Sequence, residues 1–155
     1  MDIYFLRHGD AEDLGPGGSD AERRLTDKGL KQSARAAAWL KDHDVTVDLV
    51  VTSPLVRARQ TAEPAARALG VDLREDARLS GGRLTMQALA ALISDAGNPE
   101  AVLLVGHEPD FSIIIEELTG GAVEVKKAAL ALVTCDRVAA GTGELAWLIP
   151  AALRN

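Results

Sequence analysis

Short, unbroken apolar runs alternate along this chain with longer segments in which apolar residues recur every three or four positions. Residues 2 to 7, 47 to 52 and 101 to 105 are runs of the first kind. They do not alternate in polarity, which is the signature of strands covered on both faces. Segments of the second kind predict four helices. Thr26 can cap one that runs to about Asp42, with Leu30, Ala34, Ala37 and Leu40 near one face. Ser53-Pro54 reads as the start of another, with Ser at the cap and Pro in the first turn. Its apolar side carries Leu55, Ala58, Ala62, Ala65 and Leu69, and Gly70 ends it. Residues 85 to 96 group Met86, Leu89, Ala90 and Ile93. A fourth helix follows His107, with Phe111, Ile114, Ile115 and Leu118 clustered. Two later runs, 128 to 135 and 144 to 149, predict strands, and Gly141-Thr142-Gly143 between them predicts an antiparallel hairpin at one edge. Residues 10 to 25 read as a polar loop, and 70 to 84 as a linker. Together these elements predict an α/β fold of three layers: a mostly parallel sheet with helices on both faces and an antiparallel edge.

Composition narrows the picture. A chain of 155 residues fits a single domain, 1–155, around one core. It is 47% hydrophobic but only 3% aromatic, so that core must be built from Ala, Leu, Val and Ile. Seventeen Lys and Arg against 23 Asp and Glu leave a net charge of -6. This balance argues against a nucleic-acid or membrane-surface partner, and an anionic substrate must then meet a local cluster of Arg and His. The single cysteine, Cys135, cannot form an internal disulfide, which makes a reducing cytoplasm the expected setting. Its apolar surroundings make it a buried strand residue, not a nucleophile. No apolar stretch reaches membrane-spanning length. The expected state is a monomer.

Two of the early strands end in residues that an apolar run does not explain. The first ends Leu6-Arg7-His8-Gly9, the third Val105-Gly106-His107. In a parallel sheet the ligand crevice lies at the carboxyl ends of the strands. Both histidines therefore belong on one rim. Arg57 joins them from the first turn of the helix that follows the second strand. Such a set suits a phosphoryl group. Arginine supplies a planar, permanently charged donor fork for its oxygens. Neutral imidazole can accept a phosphoryl group covalently, and a second imidazole can stabilise charge on the equatorial oxygens. Gly9 and Gly106 allow close approach of backbone to the anion. The two histidines do not predict a metal site, because the arginines would repel a cation and no carboxylate cluster accompanies them. His43, between Asp42 and Asp44, reads as solvated, and Arg59 as a surface residue or an acid's partner. Asp10 and Ser53 are orienting residues or turn and cap residues.

Arg7-His8-Gly9, Ser53-Pro54 with Arg57 and Gln60-Thr61-Ala62, and Gly106-His107-Glu108-Pro109 together resemble the histidine phosphatase superfamily, which includes the phosphoglycerate mutases. Arg7 to Ala11, Arg23-Arg24-Leu25-Thr26, Gly29 and Trp39-Leu40 resemble its SixA-type phosphohistidine phosphatases. The resemblance implies a cofactor-free enzyme with His8 as nucleophile, Arg7 and Arg57 as phosphate ligands and His107 as the second active-site histidine. It offers Arg23 and Gly9 as further substrate contacts. Many larger members carry an acidic proton donor on an insert after the second helix, and the roughly 15 residues from 70 to 84 leave no space for one. Glu108 stands where the acid-phosphatase branch has a donor Asp, and is a candidate proton donor or a helix N-terminal carboxylate. The implied substrate is a phosphohistidine-bearing protein such as a phosphotransfer domain. The alternatives are a small phosphate ester, with Glu108 as acid, and a phosphate-binding module without turnover.

Overall fold

The structure, a computed structural model, describes residues 1–14 and 17–154. Strands β1 (Asp2–Arg7), β2 (Leu49–Thr52), β3 (Leu73–Glu75), β4 (Ala101–Gly106), β5 (Leu130–Cys135) and β6 (Gly143–Ile149) form one sheet in the order β3-β2-β4-β1-β5-β6. The first four are mutually parallel. β5 and β6 run antiparallel, as the Gly141–Gly143 turn predicts. Helices α1 (Asp27–Asp42) and α2 (Val56–Leu69) cover one face, and α3 (Met86–Asp95) and α4 (Asp110–Thr119) the other. The three-layer α/β expectation therefore holds. Successive residues of the apolar strands feed opposite cores: Ile3 and Phe5 pack toward α3 and α4, Tyr4 and Leu6 toward α1 and α2. This is why those runs are apolar throughout. Among the described residues no helix is long and apolar enough to cross a membrane.

Three details differ from the sequence reading. The buried face of α1 is Gly29, Ser33, Ala36, Ala37 and Leu40, whereas Leu30 is 46% exposed and Ala34 is exposed. The opposing surface of α2 is lined by Ala58, Ala62 and Ala65, so the interface selects small residues over bulky ones. Ser33 fits there because its hydroxyl donates to the Gln60 carbonyl at 3.3 Å. α2 starts at Val56 with Leu55 as its N-cap, two residues later than the Ser53-Pro54 signal implied; Ser53 has another task, described below. Gly70, with φ of 69°, ends this helix as expected. Finally, 70 to 84 is not a bare linker. It contains edge strand β3 and a single 3-10 turn at Ala77–Leu79. Leu73-Arg74-Glu75 is too short and too polar to register as an apolar run; it is held by main-chain pairing to β2 (Val50↔Leu73).

Candidate active site

β1 and β4 are adjacent and parallel, with Arg7 opposite Gly106. The next residue of each is a histidine, so His8 and His107 leave the sheet side by side. Their ring centroids are 5.1 Å apart at 54°. Both are buried, at 6% and 4% exposure. The His8 N–H donates to the Gly106 carbonyl at 3.0 Å, which pins the two strand ends together. Gly106 is needed for packing rather than for an anion: a Cβ there would stand 2.8 Å from the Phe111 ring. That ring packs edge-on against Phe5, centroids 5.1 Å apart, and so seats α4 against the rim.

The environment sets the state of each ring. His8 Nδ1 lies 2.7 Å from the Gly9 carbonyl, which can only accept, so Nδ1 carries the proton. Nε2 is left with its lone pair. Burial, the largest cause, pushes the His8 pKa down to about 4; Arg57, Arg7 and Arg23 push the same way, and the Gly9 bond opposes them. Burial likewise brings His107 down to about 3, with the neighbouring His8 and Arg57 adding to it. Both rings are neutral at pH 7. Ser53, the residue expected as a helix cap, bonds His107 Nε2 through Oγ at 2.8 Å and accepts from Leu55 N at 3.2 Å. It orients the second histidine. A ¹⁵N NMR titration should find His8 in the Nδ1–H tautomer with a midpoint near pH 4. A midpoint near the ordinary 6.5, or the opposite tautomer, would contradict the assigned hydrogen bond.

Arg57 reaches the rim from the first turn of α2, as predicted, and is buried. Its Nη1 donates to the Asp20 carbonyl at 2.8 Å and Nη2 to Asp20 Oδ2 at 3.3 Å. Asp20 also pairs with Arg23 at 3.0 Å, while Arg23 Nε donates to the Glu12 carbonyl at 2.5 Å. The side chain of Asp20, 68% exposed, thus links two of the three arginines that act on His8. By sequence Asp20 belongs to the polar loop of residues 10 to 25, and its spacing of three from Arg23 is the signal that points to a pair. Arg7 donates from Nη1 to the Val125 carbonyl at 3.1 Å and has no acid within ion-pair distance among the described residues. The Nε groups of Arg7 and Arg57 are buried without a partner, but so are those of Arg59 and Arg154, and that feature alone does not single them out.

Other expected residues take up local tasks. Gly9 does not offer its N–H to an anion, because it donates to Thr61 Oγ1 at 3.1 Å, and a Cβ on Gly9 would lie 2.9 Å from the Gly29 carbonyl oxygen. Thr61 in turn donates to the Arg57 carbonyl at 2.8 Å, tying α2 to the loop after β1. Asp10 pairs with Lys127 at 2.9 Å and accepts from Thr26 Oγ1 at 2.8 Å, so it braces the loop. Glu108 accepts from Ser112 N at 2.9 Å and from Ser112 Oγ, the helix-terminal reading of this carboxylate. Asp110, not singled out from sequence, is buried and accepts from the N–H groups of Gly82, Arg83 and Leu84 at 3.0 to 3.2 Å. It fixes the segment whose Gly81 lies beside the His107 ring. Arg59 pairs with Glu75 at 3.4 Å on the surface, and exposed His43 stacks on Trp39. Cys135 is buried, and burial raises its pKa. A cleft of about 1030 Å³ lies at the other end of the strands, around Asp2, Trp39, His43 and Trp147, away from His8 and His107.

The sequence matches the model of the histidine phosphatase superfamily (branch 1) over residues 3–84. It is 31% identical over 154 residues to the phosphohistidine phosphatase SixA of Escherichia coli, covering 95% of this chain and 92% of that one. An uncharacterised protein of Picosynechococcus is 33% identical over 139 residues, 84% of this chain and 82% of the relative. A solved structure of the protein histidine phosphatase SixA complexed with tungstate superposes with a TM-score of 0.86 at 28% identity, covering 98% of each chain. A rim that pairs two neutral histidines with arginine, on this topology and with these relatives, has one conclusion: the chain belongs to the histidine phosphatase superfamily.

Proposed function

We propose that this phosphatase removes phosphoryl groups from protein phosphohistidine through a covalent intermediate on His8. The observation that carries the reading is the bond from His8 Nδ1 to the Gly9 carbonyl, which leaves Nε2 an unprotonated nucleophile beside Arg7, Arg57 and Arg23. In the first step Nε2 forms a bond to phosphorus as the P–N bond of the substrate breaks, and the departing imidazole leaves neutral because its other nitrogen carries a proton. In the second step water attacks phosphorus and the P–Nε2 bond breaks. His8 recovers its lone pair, and inorganic phosphate departs. Arg7 and Arg57 hold the non-bridging oxygens, with Arg23 as a third cation at the mouth. His107, oriented by Ser53, donates to an equatorial oxygen. The relationship to SixA supports the substrate class, and the tungstate of the solved relative is itself a tetrahedral oxyanion.

The engagement of Glu108 supports this reading over a phosphomonoesterase. An alkyl phosphate must expel a strongly basic alkoxide and needs a general acid. Both carboxylate oxygens of Glu108 already accept from Ser112. A site so short of free acid suits an imidazole leaving group, which needs no such donor. The deciding measurement is kcat/KM for a phosphohistidine protein, an aryl phosphate and an alkyl phosphate, each on the wild type and on Glu108→Gln. The expected order is phosphohistidine, then aryl, then alkyl, with little change in Glu108→Gln. Alkyl phosphates as the best substrates, lost selectively in Glu108→Gln, would replace this reading with the phosphomonoesterase.

A further inference from the structure

The basic residues of this acidic chain are not spread evenly. Beside the histidine rim lies a cleft of about 760 Å³. Its eleven lining residues include seven cations and no carboxylate, so seven of the seventeen Lys and Arg gather at one place. Lys28, Lys31 and Arg35 come from α1, at spacings of three and four that put them on one helix face. Lys126 and Lys127 come from the segment before β5, and Arg154 follows a 3-10 turn at Ala151–Leu153 beyond β6. The seventh is Arg7, which the cleft shares with the candidate active site. The remaining lining residues, apart from Gln32, are Pro150, Ala151 and Ala152.

Internal acids do not account for this charge. Among the described residues Lys127 alone of the seven has a carboxylate within ion-pair distance, that of Asp10 at 2.9 Å. Arg154 is the most telling. It is 5% exposed, and its guanidinium donates to the carbonyls of Ala128 and Ile149, with Nε left unpartnered. Burial lowers its pKa to about 10, which still leaves it charged at neutral pH. A buried cation that meets carbonyls but no acid among the described residues carries a desolvation cost that an arriving anion can offset.

We propose that this cleft docks an acidic segment of the phosphorylated protein and leads it past Arg7 to His8. The inference rests on the phosphohistidine reading of the site and adds the chemistry of the partner. A small monoester would spend its one anionic group at the histidines and leave the cations of α1 unused. A phosphoryl group carried on a protein histidine arrives with neighbouring residues, and those neighbours must lie on something. The surface that runs out from Arg7 over α1 and Arg154 offers positive charge along an apolar floor, which suits aspartate and glutamate side chains flanking the phosphorylated residue. Charge of this kind acts mainly on encounter and KM, and is screened by salt.

Two synthetic peptides of equal length test it, each with a central phosphohistidine, one flanked by glutamate and one by glutamine. The wild type should turn over the glutamate peptide with kcat/KM higher by about tenfold or more, the low end of electrostatic steering, and the advantage should shrink as salt is raised. Lys31→Glu with Arg35→Glu should remove the preference through KM, and the milder Lys31→Gln with Arg35→Gln should reduce it. Both variants should hydrolyse an aryl phosphate at the wild-type rate. Equal rates on the two peptides in the wild type, or a preference that survives in both double variants, would overturn the docking cleft while leaving the phosphohistidine reading intact. A wild type that hydrolyses the aryl phosphate but neither peptide would overturn the substrate reading, and the cleft's role with it.

Discussion

His8→Ala should abolish turnover, with a loss on the order of 10⁴-fold or more, as when an enzyme loses its covalent nucleophile. The expectation follows from what the ring does in the folded chain. Gly9 holds the proton on Nδ1, and burial among arginines keeps the ring neutral, so Nε2 is ready for phosphorus at pH 7. Alanine removes that nitrogen and leaves the arginines in place, so an oxyanion should still bind. Incubation with substrate followed by denaturation should trap a phosphoryl label on the wild type. That label should be labile in acid and stable in alkali, as a P–N bond requires, and it should be missing from the variant. Circular dichroism should show an unchanged fold, because the sheet below the rim is closed by Phe5, Leu6 and Phe111. Wild-type-like rates in His8→Ala, or a label that persists, would remove His8 from the mechanism.

Arg57→Ala should slow catalysis by about 10² to 10³, the usual loss for one preorganised donor aimed at developing charge. Arg59→Ala should do far less. The two arginines are neighbours on one helix, but Arg57 is buried beside the histidines, whereas Arg59 makes a 3.4 Å surface pair with Glu75. Pairs of that kind contribute little in water. Arg57→Lys should recover only part of the loss, since an ammonium restores charge without the planar fork. The loss should appear in kcat/KM for protein and aryl phosphates alike, because both present the same phosphoryl oxygens. Equal effects from Arg57→Ala and Arg59→Ala would mean that the active rim is not organised by the first turn of α2.

Local pattern along the chain was enough to read those parts of the protein that depend on it. Unbroken apolar runs foretold strands buried on both faces, and Ile3 with Phe5 on one core and Tyr4 with Leu6 on the other are the reason such runs exist. A histidine at the end of such a run has to leave the sheet at the rim, so the positions of His8 and His107 were readable, as was Arg57 in the first turn of the next helix. The remainder followed only from folding, because it depends on which surfaces meet. The buried face of α1 differs from the periodic pattern because Gly29 lies against the Asp10 backbone and Ser33 against α2, which leaves Leu30 outside. Ser53 looked like a cap until His107, 54 residues away, came within 2.8 Å of its hydroxyl. Glu108 and Ser112 sit close enough along the chain to bond as a helix terminus, yet no pattern said that both carboxylate oxygens would be taken. Asp20 on Arg57, the Gly9 carbonyl on His8 and the gathering of Lys28, Lys31, Lys126 and Arg154 into one cleft share a cause. Each is a hydrogen bond or a charge placement whose direction is set only when the chain has folded, and residue type and spacing carry no information about direction.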